Sequence, residues 1–386
     1  MNERSIDIAV FGATGFTGSL VLQYLIKYYG DQLRLAAVGR NAEKLQRLRE
    51  AVGGEKVAAL TADAADPASL RKLARSAHVI VSTVGPYHAQ GSPLVQACAE
   101  AGTDYCDLSA EPDWILGMIH EQGACAERTG ARLLFSCGFD SVPSEIGVMA
   151  MQRQAMSRFN MPLRHIGYRY PAEPPPLSGG TLASLRGNLE RAHNNRQVAA
   201  LLANPFSLTP GFRGPVIDCN PVTYDPVIKE WTAPFMMSFI NVPNVHRTAA
   251  LLGHPWGRDF IYDERIRAGN GPAGRMLAEA IAKMPSLLEL QDMPAPGEGP
   301  DAATRDAGSW TILFYGETAG ADRMRMMMHG VGDPGYGSTS KMLAETAICL
   351  RYMARKRGGA LTAGAALGQH LEARLVAHAG VTILFD

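Results

Sequence analysis

Apolar positions along this chain fall into short unbroken runs, and helical spacings separate them. Residues 6–11, Ile-Asp-Ile-Ala-Val-Phe, form the first run. Leu20, Val21, Tyr24, Leu25 and Tyr28 then repeat at helical spacing until Gly30-Asp31. Residues 33–38 read as a second buried strand, and Lys44, Leu45, Leu48 and Val52 as the next helix. A third strand over 56–61 leads to a helix from near Pro67. A fourth, from His78, leaves through Gly85-Pro86. Then follow a helix over 92–101, a strand over 104–109, a helix over 112–129 and a strand over 131–136. Strands alternating with helices in this way predict an α/β fold, a Rossmann-type doubly wound parallel sheet.

The periodicity changes after about residue 160. Residues 163–170 read as a strand with polar residues interleaved, so that one face can be wet. A punctuated stretch with Pro174-Pro175-Pro176 and Ser178-Gly179-Gly180 precedes Thr181, the expected cap of a long helix to about Leu202. Residues 204–228 read as extended loop and 285–307 as a Pro/Gly/Asp-rich segment. Between them lie the apolar stretch 234–240 and a strand over 259–266. Residues 310–318 and 323–331 bracket Ala319-Gly320-Ala321-Asp322 as a β-hairpin. Met324, Met326 and Met328 share one face of its second strand. Such a face suits core filling, an irregular apolar ligand or a subunit contact. This part predicts a second, α+β domain inserted into the first.

The first helix begins with chemistry as well as structure. Gly12-x-x-Gly15-x-x-Gly18 sits between strand and helix, the context in which a glycine pattern signals a dinucleotide site. The first glycine permits the turn, the second admits a pyrophosphate, and the third lets the helix pack close. Ala13, Thr14, Phe16 and Thr17 line that turn. The second strand ends in Gly39-Arg40-Asn41, where NAD enzymes usually carry Asp or Glu. The missing acid and the adjacent Arg40 point to the 2′-phosphate of NADP(H). Asp63 can face the adenine edge or close the turn before the next helix. Thr83, Val84, Gly85 and Pro86 lie where the nicotinamide is expected, and Tyr87 is either packing or site. His88 reads as a surface loop histidine. Asp107 and Glu111 are candidate acids, bases or helix caps. The loop Cys137-Gly138-Phe139-Asp140-Ser141-Val142-Pro143-Ser144 carries too much polarity for a simple connection, and its first three residues are expected on the cofactor.

Composition changes this picture little. Apolar residues make up 46% of the 386 and charged residues 19%, enough to bury two cores. The net charge of zero gives no reason to expect nucleic acid. None of the six cysteines forms a C-x-x-C pair, so no metal is expected. No apolar stretch approaches the ~18 residues of a spanning helix, although peripheral lipid contact stays open. Met1-Asn2-Glu3-Arg4 runs into the first strand, which implies a cytoplasmic protein without a secretory signal.

Several of these stretches occur together, and in order: Gly12–Gly18, Gly39-Arg40-Asn41, Thr83–Tyr87, Tyr105–Glu111, Cys137–Ser144, Asp333–Glu345 and Gly358–Thr362. In this the chain resembles the saccharopine dehydrogenase-like oxidoreductases, nearest the branch of the bacterial trans-acting enoyl reductases. It departs at Ala110, where the family usually has glycine. The resemblance implies a helix over about 338–356 that returns to the nucleotide domain. Residues 1–145 completed by 335–386 would then bind NADP(H), and 146–334 would form the substrate and dimerisation domain of a homo-oligomer. It further implies hydride transfer to the activated double bond of an apolar acyl substrate. Tyr87, Ser109 and Ser141 are the expected hydrogen-bond donors, Tyr87 first. Asp140 is expected to orient its loop, because an exposed Asp is ionised at neutral pH. Two other readings compete. One is saccharopine-like chemistry at an amino-acid C–N bond, served by Arg164, Arg169, Arg186 and Arg191. The other is a non-catalytic NADP-binding, lipid-associated scaffold.

Overall fold

The computed structural model describes residues 4–172, 179–283, 298–354 and 357–386. Six strands come first: β1 (Ile6–Phe11), β2 (Leu35–Gly39), β3 (Ala58–Thr61), β4 (Ala77–Ser82), β5 (Asp104–Asp107) and β6 (Arg132–Leu134). Six more follow: β7 (Leu163–Pro171), β8 (Thr223–Asp225), β9 (Glu230–Pro234), β10 (Ile261–Gly269), β11 (Ser309–Thr318) and β12 (Arg323–Val331). The last two are β13 (Gly359–Leu361) and β14 (Val381–Phe385).

The first sheet is seven-stranded, in the order β13-β6-β5-β4-β1-β2-β3, and every pairing is parallel. β1 lies between β2 and β4, with Val10 opposite Ala37 on one side and Val81 on the other. The direction of winding reverses between β1 and β4. That reversal opens a crevice at the carboxyl ends of the strands, where doubly wound sheets bind ligands. Ile8, Ala9 and Val10 are fully buried, as a strand covered on both faces must be.

The second sheet is also seven-stranded, β14-β12-β11-β7-β10-β9-β8. β7 and β10 pair in parallel and the other neighbours antiparallel. The helix Val142–Phe159 crosses from the end of β6 onto it, and Gly147 leaves the space that the Phe314 ring fills. The hairpin forms as expected, with Met324, Met326 and Met328 in the core and Met327 exposed.

Several expectations need correction. β7 is not wet on one face: Gly167 is buried and Arg169 lies beneath Asp225 of β8 and Asp263 of β10. The long helix to Leu202 breaks at Asn195, whose side chain caps a new helix, Arg196–Leu202, through the Gln197 N–H. The Thr181 side chain, residues 174–178 and residues 285–297 lie outside the described residues. The helix Thr339–Tyr352 does pack on the first sheet, and β13 extends that sheet. Residues 381–386, however, do not complete it. β14 joins the second sheet beside β12, where Leu384 pairs with Met327.

Candidate active site

The glycine turn has the geometry its spacing implies. Gly12 adopts φ +88°, and a Cβ there would fall 2.7 Å from Val84 Cγ2. A Cβ on Gly18 would collide with the Gly12 carbonyl oxygen, so only glycine seats the helix this close to β1. Gly15 provides no side-chain cap to the helix Phe16–Tyr29. The first N–H groups of that helix therefore remain available to an anion. Ala13 is pinned by its N–H to Val38 O, and Thr83 Oγ1 donates to Phe11 O. Thr14 lies beside Gly39 at the end of β2. Next to it Arg40 is exposed, with no hydrogen bond or ion pair among the described residues. Asn41 caps the following helix through Lys44 N. Asp63 closes its turn through Ala65 N, and Asp66 caps the helix after it. These residues form a cradle that fits a dinucleotide.

A cavity of about 290 Å³ opens from the cradle along the ends of β4, β5 and β6. Thr83, Gly85, Pro86 and Tyr87 contribute from β4, and Leu108, Ser109 and Ala110 from β5. Ser136, Gly138, Asp140 and Ser141 follow β6. Ala183, Ser184 and Leu185, on the helix Gly179–Asn194, face the cavity with Met237. Of the loop residues expected on the cofactor, only Gly138 lines it. Cys137 is buried, with its thiol pushed up by that burial, and Phe139 packs on Trp310 with ring centres 4.8 Å apart.

The three expected donors all reach this wall, but the protein already uses their hydroxyls. Tyr87 is the clearest case. Its hydroxyl donates to Ser82 O at 3.1 Å and accepts from Leu108 N at 3.2 Å, while its ring packs on Trp114. Ser109 Oγ donates to Asp107 Oδ1 at 2.7 Å, and Ser141 Oγ to Asn241 Oδ1 at 2.9 Å. Asp107 is an organiser. It accepts from the Ser109 and Ser136 N–H groups and from Tyr105 OH, and burial holds its carboxyl up at about 6. In this way it joins β5 to the loop after β6. Glu111, fully buried, accepts from the N–H groups of Tyr87 and His88. His88 is not a free surface histidine: its Nδ1 lies 2.6 Å from Glu111 Oε2 and 2.8 Å from Arg191 Nη1.

Sequence reasoning missed Ser184 as a wall residue and misjudged the setting of Asp140. Ser184 Oγ lies over Gly85, 3.6 Å from where a Cβ would stand, and has no partner among the described residues. Asp140 is not an exposed loop residue. It lines the cavity without a hydrogen bond or ion pair among the described residues, and desolvation pushes it up to about 6. Its density of turn residues was the available signal.

Residues 8–133 match the family model of the saccharopine dehydrogenase NADP-binding domain. A Mycobacterium tuberculosis protein provisionally named a trans-acting enoyl reductase is 36% identical over 410 residues, covering 98% of this chain and 97% of its own. The chain belongs to the saccharopine dehydrogenase-like family, in the branch of the trans-acting enoyl reductases. A trans-acting enoyl reductase of Mycobacterium bovis is 32% identical over 414 residues, covering 97% and 96% of the two chains. Among solved structures, the apo saccharopine dehydrogenase (L-Glu forming) of Saccharomyces cerevisiae shares the fold, with TM-score 0.59 and 12% identity over 99% of each chain. Members of this family are NAD(P)-dependent oxidoreductases, and NADP(H) is the cofactor here. No helix among the described residues is long and apolar enough to cross a membrane.

Proposed function

We propose that this enzyme reduces the activated carbon–carbon double bond of an apolar, acyl-type substrate. One observation carries the reading. Among the described residues, the cavity wall holds no Lys, Arg or His, and Asp140 is its single carboxyl. A saccharopine-like substrate carries several carboxylates, which proteins hold with bidentate cations. The four arginines that could have served are engaged elsewhere or absent from the wall. Arg164 pairs with Asp259, Arg169 with Asp225 and Asp263, and Arg191 with Asp113. Arg186 does not line the cavity. Pro86, Leu108, Leu185 and Met237 instead offer apolar surface to a chain.

NADPH, when bound, supplies the hydride. The glycine turn and the free helix N–H groups hold its pyrophosphate, and Arg40 holds the 2′-phosphate. The substrate's carbonyl oxygen gains charge as its β-carbon is reduced, and it needs a donor already in place. Ser184, over Gly85 and without a partner among the described residues, is a wall hydroxyl free to donate. The reading predicts NADPH oxidation with a trans-2-enoyl thioester and none with a 2-oxo acid plus an amino acid, followed at the nicotinamide absorbance. The opposite pattern overturns it. The expected homo-oligomer belongs to the same reading. Met327, Val331 and Leu384 are exposed on β12 and β14, an apolar edge that a second copy would cover. A sedimentation mass of one 41.5 kDa chain would remove that part.

A further inference from the structure

We propose that Asp140 is the acid that delivers the proton to the substrate's α-carbon. The inference rests on the enoyl reading above and adds the second half of its chemistry. The residues on either side of Asp140 are clamped. Phe139 N–H donates to Thr339 Oγ1 at 3.0 Å, and Ser141 is held by Asn241 and Asn244. The backbone between them therefore presents the carboxyl to the cavity from a fixed position. Among the described residues no other carboxyl lines that wall, and its hydroxyls on Tyr87, Ser109 and Ser141 are spent on the protein.

The surroundings favour the protonated acid. Tyr168 of β7 is the titratable neighbour on the second sheet. Glu264 of β10 reaches Ser141 through Asn241, and burial pushes Glu264 itself up to about 7. Neither supplies a positive charge, and no cation stands in the wall among the described residues. A carboxyl without a cation or a donor keeps its proton to higher pH.

The step balances. Hydride forms the new C–H bond at the β-carbon, and the double-bond pair moves to give an enolate. The α-carbon then takes the Asp140 proton, and the O–H pair stays behind as carboxylate, which solvent reprotonates. The double bond is reduced and the nicotinamide oxidised by the same two electrons.

The test uses the full chain, NADPH and a trans-2-enoyl N-acetylcysteamine thioester in D₂O. Wild type should place deuterium at the α-carbon in one configuration, with turnover falling as pH rises through about 6. Asp140→Asn should lose about a hundredfold in turnover, the pH limb and the stereospecificity. Asp140→Glu should restore part of each. Unchanged turnover and a single α-configuration in Asp140→Asn overturn the inference. A second readout needs no substrate: an ionised carboxyl beside the nicotinamide favours NADP⁺ over NADPH. The wild-type affinity ratio should therefore shift with pH through about 6 and be flat in Asp140→Asn. If that shift is seen without enoyl turnover, the substrate reading fails and the acid stands. A flat wild-type ratio overturns the acid.

Discussion

At the scale of single residues, the protein distinguishes side chains that hold the site from those left free to act. Tyr87 belongs to the first kind. Tyr87→Phe leaves a buried carbonyl of Ser82 and an N–H of Leu108 without their partner, which costs about 1–3 kcal/mol. We expect a lower Tm with turnover nearly unchanged; a normal Tm with lost turnover would return Tyr87 to the chemistry. Ser184 belongs to the second kind. Ser184→Ala should lower kcat by about a hundredfold and leave NADPH affinity alone. Unchanged kcat would show that the oxyanion is held by backbone. If Arg40 holds the 2′-phosphate as proposed, Arg40→Ala should weaken NADPH by about tenfold or more and barely alter NADH, read by fluorescence titration. Equal loss of both would contradict a 2′-phosphate contact.

At the scale of elements, local signals carried most of the information. Gly12, Gly15 and Gly18 were legible because the turn permits little else. The β11–β12 hairpin was legible because its alternation has a period of two. What was not legible depended on distant partners. The burial of Arg169 needs Asp225 and Asp263, 56 and 94 residues away. The hydroxyl of Tyr87 could not be known to be spent until β5 was placed beside it. Glu145 shows the same dependence. It lies on the helix Val142–Phe159, accepts from Thr248 Oγ1 and Gly364 N, and has its other oxygen buried without a partner. Burial raises its pKa from 4.5 to about 7. The folded state thus binds this proton more tightly than the unfolded chain. The stabilisation is complete below pH 4.5 and is lost as pH rises to about 7. Glu145→Gln should remove roughly 3 kcal/mol of that pH dependence. Parallel stability curves for the two proteins between those limits would contradict it.

At the scale of the whole molecule, the chain's last fifty residues bind two sheets together. The helix Thr339–Tyr352 sends Glu345 to Tyr24 and Tyr29 of the first helix, while Arg374 grips its second oxygen. β14 then closes the edge of the other sheet. A chain ending at residue 379 should keep NADPH affinity with a lowered Tm, whereas one ending at residue 334 should lose binding or solubility. Retained binding in the shorter chain would place the nucleotide domain entirely before residue 335. On the proposed reading, the cavity holds NADPH against an apolar, double-bonded acyl group. The most direct measurement is the fate of the label from NADPH deuterated at the transferring C4 position, with a trans-2-enoyl thioester as acceptor. The account predicts a saturated product with one deuterium, at the β-carbon. Label found instead on the carbon of a newly formed C–N bond, with the enoyl thioester untouched, would contradict it.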